Sequence, residues 1–138
     1  MIAIAVMAAV GFWWIKGRQA GTPPPAVPQA AATPEPAFER LTGRWQRPDG
    51  GYIIEIRSVE SGGRMNAAYF NPQSIHVAKA EASQDGETIH VFIELRDVNY
   101  PGSTYNLTYD PADDSLKGIY FQAAIGQTFD VYFLRLQP

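Results

Sequence analysis

Tyrosines carry the most usable chemistry in this chain. Tyr69, Tyr105 and Tyr120 each lie in a stretch rich in β-formers. Each couples an apolar ring to a hydroxyl that can orient a bound molecule, so the three are the candidate lining of a ligand pocket. The same residue type is favoured in strands for packing alone, and plain core packing stands beside the pocket reading. His76 and His90 are the only two histidines. On neighbouring strands they could share a face and join a carboxylate around a metal, but no ligand spacing is present and solvated strand positions are the plainer reading. Asp110, Asp113 and Asp114 around Pro111 lack the alternating ligands of a calcium loop, which leaves a charged hairpin tip. Glu55 and Glu94 make a carboxylate pair only if the fold joins them.

Other chemistries lack their minimum parts. There is no Gly-x-Ser-x-Gly elbow, no glycine-rich loop before a helix and no His-Glu-x-x-His. The expectation is a protein that is not an enzyme, with no cofactor and no assigned metal site. The 138 residues include no cysteine, which removes disulfides, thiolate sites and thiol nucleophiles. Nine cations against thirteen anions give residues 38–138 a net charge of −4. A nucleic-acid partner needs a concentrated basic face, so none is expected.

The elements that would position these residues are strands. From Gly43 onward, runs of five to ten residues rich in Val, Ile, Tyr, Phe and Thr alternate with turn clusters, and no helical period persists. Eight strands are expected: 43–47, 52–59, 64–70, 75–82, 88–96, 104–110, 116–122 and 128–136. The turns between them include Pro48-Asp49-Gly50-Gly51, Ser61-Gly62-Gly63, Gln84-Asp85-Gly86 and Tyr100-Pro101-Gly102. Pro101-Gly102 suits the centre of a type II turn. In 88–96, Ile89, Val91, Ile93 and Leu95 alternate with His90, Glu94 and Arg96, which makes one face buried and one wet. Short turns and no crossover helix leave an up-and-down barrel or an open sandwich. Closure removes exposed edges and is favoured.

Leu41-Thr42-Gly43-Arg44-Trp45 resembles the Gly-x-Trp opening of calycins, the superfamily of lipocalins, fatty-acid-binding proteins and avidins. Arg135 in the last strand resembles the arginine that packs on that tryptophan where such barrels close, and cation–π attraction gives the pair a physical reason. Asp114 to Leu136 is similar to the closing hairpin of lipocalin-like bacterial exported domains. The resemblance implies an eight-stranded antiparallel calycin-like barrel, closed by Trp45 and Arg135 and holding a small apolar or amphipathic ligand. The chain departs from lipocalins in having no helix after the barrel, so any cavity should be small. Biotin is not implied, because Arg47 follows Trp45 closely and no other tryptophan lies outside the first 19 residues.

Ahead of the barrel, Met1 to Ile15 is an unbroken apolar run followed by Lys16 and Arg18. As a helix it would reach about 22 Å, between a signal-peptide core and a short membrane anchor. Residues 1–19 are read as that segment, 20–37 as a Pro/Ala-rich spacer with too little apolar surface to fold, and 38–138 as the barrel. Cations after the run would leave the barrel in the cytoplasm by the positive-inside rule. A basic stretch upstream of Met1 would restore export, and the expectation is a barrel outside the bacterial cytoplasm, anchored or, after cleavage near Ala30-Ala31-Ala32, released. Partners are then the membrane through the N-terminal segment and either a small apolar ligand or an envelope protein, the latter if the barrel is solid.

Overall fold

Strict alternation in Thr88–Asp97 shows how the sheet is built. Ile89, Val91, Ile93 and Leu95 are buried while Thr88, His90 and Arg96 are exposed. An apolar residue at every second position commits one face to a core and leaves the other to water. The computed structural model describes residues 37–138. The apolar run and nearly all of the spacer therefore lie outside the described residues, and among those described no helix is long and apolar enough to cross a membrane.

Nine strands form one antiparallel sheet: β1 (Gly43–Gln46), β2 (Ile53–Val59), β3 (Met65–Phe70), β4 (Ser74–Ile75), β5 (Val77–Asp85), β6 (Thr88–Asp97), β7 (Tyr100–Asp110), β8 (Ser115–Gln122) and β9 (Gln127–Arg135). The order β4-β3-β2-β1-β9-β8-β7-β6-β5 is a meander in which β1 meets β9. In that seam Trp45 pairs with Arg135 and Gln46 with Leu134. The two outer strands, β4 and β5, are separated by His76 alone, so the sheet curls into a nearly closed barrel.

The expected fourth strand is thus divided into the two-residue β4 and the nine-residue β5, with His76 at the bend. Its backbone serves β6, donating to Asp97 Oδ2 at 2.7 Å and accepting from Arg96 N at 3.1 Å. A strand that leaves β3 to join β6 must break its ladder where it changes partner. Farther along, Ala82 N donates to Gly63 O at 2.6 Å and Arg64 bridges Glu81, so β3 and β5 meet again. Gly63 has a positive φ of 93°, and a Cβ there would lie 2.0 Å from Ala82 O, which reserves the position for glycine.

The expected turn at Pro101-Gly102 is displaced. Pro101 pairs with Arg96 inside β7, Gly102 is the extra residue of a bulge, and the chain reverses at Val98-Asn99, with Asn99 at φ 69°. Proline gives the ladder no N–H, and a bulge is where a strand tolerates that loss.

The interior is filled by side chains. Trp45, Tyr69, Tyr105, Phe133, Ile54, Ile56, Ile93 and Leu116 are fully buried. One end is plugged by a 3₁₀ turn, Phe38–Leu41, whose Phe38 and Leu41 are buried and whose Leu41 O accepts from Trp45 Nε1 at 2.9 Å. The opposite end carries the β1–β2, β3–β4, β6–β7 and β8–β9 connections, and no comparable plug covers it among the described residues.

Candidate functional site

The plugged end is organised by Arg135. Its guanidinium carbon lies 4.2 Å over the Trp45 ring, its Nε donates to Asp114 Oδ2 at 2.6 Å, and its Nη1 donates to Thr42 O at 2.6 Å. Nη2 reaches Arg40 O and Asp114 Oδ1. The Asp114 hydrogen bond raises the Arg135 pKa, and Arg135 in turn holds the Asp114 carboxyl below its usual range. Tyr109 meets Trp45 edge-on at 6.1 Å and donates to Asp114 Oδ1 at 3.0 Å. Gly43 of the Gly-x-Trp motif is small for a reason visible here, since a Cβ on it would lie 2.7 Å from Arg135 Nη1. Arg135, Asp114 and Tyr109 all spend their polar groups on the protein itself, so together they form a seam, with a cleft of about 530 Å³ beside it lined by Gly43, Arg44 and Leu136 to Pro138.

The open end is built from Arg47. It follows Trp45 by two residues and so falls on the same inward face, where it is 8% exposed. Asp49 receives its Nε at 3.0 Å and its Nη2 at 2.5 Å, while Nη1 donates to Tyr105 Oη at 3.1 Å. The guanidinium carbon lies 4.3 Å from the Tyr52 ring centre and 5.8 Å from that of Tyr120. Burial pulls the Arg47 pKa down, but the hydrogen bonds to Asp49 and Tyr105 outweigh it and the net shift is upward. Asp49 is held low by Arg47. The buried cation is thereby neutralised by one carboxylate.

Tyr69, Tyr105 and Tyr120 come together beneath this end. Tyr105 and Tyr120 stack with centres 4.5 Å apart, Tyr69 and Tyr105 lie 5.6 Å apart, and the Tyr69 and Tyr105 hydroxyls are 2.9 Å apart. Burial pushes Tyr105 up to about 12 against the opposing hydrogen bonds of Tyr69 and Arg47, and burial raises Tyr69 as well. Between these two hydroxyls there is one hydrogen bond for two protons, and Arg47 occupies a further lone pair on Tyr105.

Above the tyrosines opens a cleft of about 610 Å³. Tyr120 lines it, together with Tyr52 and Tyr100. Tyr69 and Tyr105 do not; they form the packed layer below. The β3–β4 loop supplies Asn71, Pro72 and Gln73, and the β6–β7 turn supplies Val98 and Asn99. Asn71 Nδ2 donates to Tyr100 Oη at 2.5 Å, tying the two loops together.

The remaining sequence candidates separate. His76 Nδ1 lies 3.1 Å from Arg96 O at the end of β6, whereas His90 sits near its start, opposite Ser83 and 3.3 Å from Thr108 Oγ1. Asp110 and Asp113 both hold Lys117, at 2.9 and 2.7 Å, which lowers both carboxyls, and Asp114 holds Arg135. Glu55 pairs with Arg57 and Arg44, and Glu94 with Arg96. Among the described residues no three His, Cys, Asp or Glu side chains converge as a metal site.

Arg47 is the residue that sequence reasoning missed as part of the site. Its signal was the two-residue step from Trp45 combined with an aspartate two positions later, which supplies both the inward face and the counter-charge. No family model, curated protein or solved structure matches this chain.

Proposed function

We propose that this domain is a small-molecule binding module whose site is the cleft at the open end of the barrel. One observation carries the reading: a cleft of about 610 Å³ lies at the unplugged end of a barrel whose interior is otherwise packed. That exceeds the ~300 Å³ at which small-molecule sites begin. The ligand is amphipathic, because phenols and carboxamides line the cleft beside Pro72, Ile75 and Val98. Binding fits the lining better than catalysis does, since its only titratable groups are tyrosines.

The calycin resemblance is compatible with this geometry. Counting β4 and β5 as one strand bent at His76 makes an eight-stranded up-and-down barrel, with Arg135 over Trp45 at the β1–β9 seam. The chain enters the barrel at the plugged end, and the apolar segment and spacer that precede it would serve as a tether. On this reading the barrel stands outside the bacterial cytoplasm on that tether.

The test is a screen of soluble small fragments against the full chain in zwitterionic micelles, read by backbone amide shifts. Binders should cluster their shifts on Tyr52, Asn71, Tyr100 and Tyr120. Binders that cluster elsewhere, or none at all, would overturn the proposal.

A second reading, an envelope-protein contact, has its own observation. Ile119 and Phe121 of β8 and Tyr132 and Leu134 of β9 are exposed on the outer face. If that face docks a partner, Phe121→Lys should abolish recovery of the partner from membranes while leaving fragment binding at the cleft intact.

A further inference from the structure

We infer that the cleft is built for a neutral saccharide, an inference that rests on the binding-module reading and narrows it to a ligand class. The argument is one of charge and hydrogen-bond type. Among the described residues no Asp, Glu, Lys, Arg or His lines the cleft. Arg47, whose guanidinium lies against the Tyr52 ring, already has Asp49 as counter-ion. An ionic ligand entering here would lose water and find no opposite charge, which is costly.

A purely apolar ligand fares no better. Asn71, Gln73, Asn99 and Gln122 each present an amide that both donates and accepts, and Tyr52, Tyr100 and Tyr120 add hydroxyls. Covering these with hydrocarbon would strip water from the donors and acceptors that the protein itself does not pair, at a cost comparable to the burial gain. The ligand must carry many groups that are themselves both donor and acceptor, which is what a polyol offers. It must also have an apolar side for Pro72, Ile75 and Val98, and the C–H face of a pyranose supplies one.

A neutral planar heterocycle meets the hydrogen-bond requirement but finds less stacking surface than three tyrosines suggest. Stacking a flat ring needs a free aromatic face. Tyr120 has Tyr105 at 4.5 Å and Phe129 at 6.5 Å, both near-parallel to it, and Tyr52 carries Arg47 on its ring. Tyr100 is held edge-on to Tyr69 at 6.2 Å and is fastened through its hydroxyl by Asn71. Each of these rings thus has a face or an edge engaged within the protein, and beside them the lining offers hydroxyls and amides. These suit a puckered ring bordered by hydroxyl groups, and Tyr100 Oη, accepting from Asn71, still has its own proton to donate. The cleft has about twice the ~300 Å³ minimum for a small-ligand site, room for more than one sugar ring.

The experiment titrates the full chain, in zwitterionic micelles that contain no sugar, with maltotriose, cellotriose and chitotriose in parallel with indole and 4-phenylbutyrate. Amide shifts at residues 71–73 and 98–100 report occupancy. At least one trisaccharide should saturate those shifts, and Gln73→Ala, a change at an exposed loop position, should weaken it roughly tenfold through loss of one paired hydrogen bond. Gln73→Asn should recover part of the loss. If indole or phenylbutyrate saturates the cleft and no saccharide does, the saccharide inference is overturned while the binding module stands. If neither class perturbs the cleft, both fall. Saccharide shifts confined to other surfaces also overturn the inference.

Discussion

At one end of the barrel Arg135 lies 4.2 Å above Trp45; at the other Arg47 lies 4.3 Å from the ring centre of Tyr52. Each arginine is held by an aspartate through Nε and Nη2. The surroundings make the difference. Arg135 also binds the backbone carbonyls of Thr42 and Arg40, so the 3₁₀ plug is fastened over the indole and the end is shut. Arg47 instead spends its third nitrogen on Tyr105 Oη, a hydroxyl that belongs to a further network, and among the described residues no plug is fastened over it. The same cation–π and carboxylate pairing closes a barrel when it ends in backbone and leaves a polar floor when it ends in side chains.

The comparison can be broken most directly by truncating the ring under each arginine. Trp45→Ala removes a fully buried aromatic and should cost about 3–5 kcal/mol in urea unfolding, whereas Tyr52→Ala, partly exposed at the rim, should cost about 1 kcal/mol. Equal costs would mean that the open end is as structural as the closed one.

Next in size, Arg135→Ala should cost about 2 kcal/mol, since it removes the cation–π contact and orphans two carbonyls and a carboxylate. With Trp13 and Trp14 replaced by Phe, the Trp45 emission should shift to the red. An unchanged spectrum and melting temperature would dissolve the proposed seam.

Tyr105→Phe probes the open end, and should cost about 1–2 kcal/mol at neutral pH by leaving Arg47 Nη1 and the Tyr69 hydroxyl short of a partner. It should also alter the alkaline limb of stability. Tyr105 titrates near 12 when folded against about 10 unfolded. Its contribution is therefore complete below pH 10 and lost as pH rises from there through 12. Unfolding followed by circular dichroism between pH 9 and 12 should show a shallower decline in the variant, with Tyr69, Tyr109 and Tyr120, all raised above the ordinary value, supplying what slope remains.

The smallest effects lie on the acid side. Asp114 and Asp49 titrate below the ordinary carboxylate value, so their contribution is present above about pH 4 and lost as pH falls through the depressed folded values. Both are solvent-screened, with side chains 42% and 62% exposed, and each is worth ~1 kcal/mol or less. Asp114→Asn should flatten the acid limb more than Asp49→Asn does, and the reverse order would mean that the open end carries the stronger pair.

Much of the barrel was legible locally. The alternation of β6 announced its buried face, and Asp85-Gly86 announced the hairpin that joins β5 to β6, because side-chain period and turn φ are set by near neighbours. Two features were misplaced for one reason. The expected strand 75–82 carried no mark of the bend at His76, and Pro101-Gly102 looked like a turn but serves as a bulge. In both cases the deciding partner, Arg96, lies 20 residues from His76 along the chain but beside Pro101 in the ladder. The candidate tyrosines were legible as a group by residue type, but not their division into one that lines the cleft and two that lie beneath it.

By itself the sequence determined that the chain from Gly43 onward would form β-structure, and in the fifth expected strand which side chains would point inward. That follows from a period of two and from residues whose backbone preferences are local. The tertiary structure alone decided that Arg47 meets Tyr105, 58 residues away, that Arg135 reaches Thr42 O across 93, and that one end is plugged while the other is open. An inward direction is a property of a strand. The depth at which an inward side chain sits, and what it meets there, depends on the stagger between strands paired across the whole barrel.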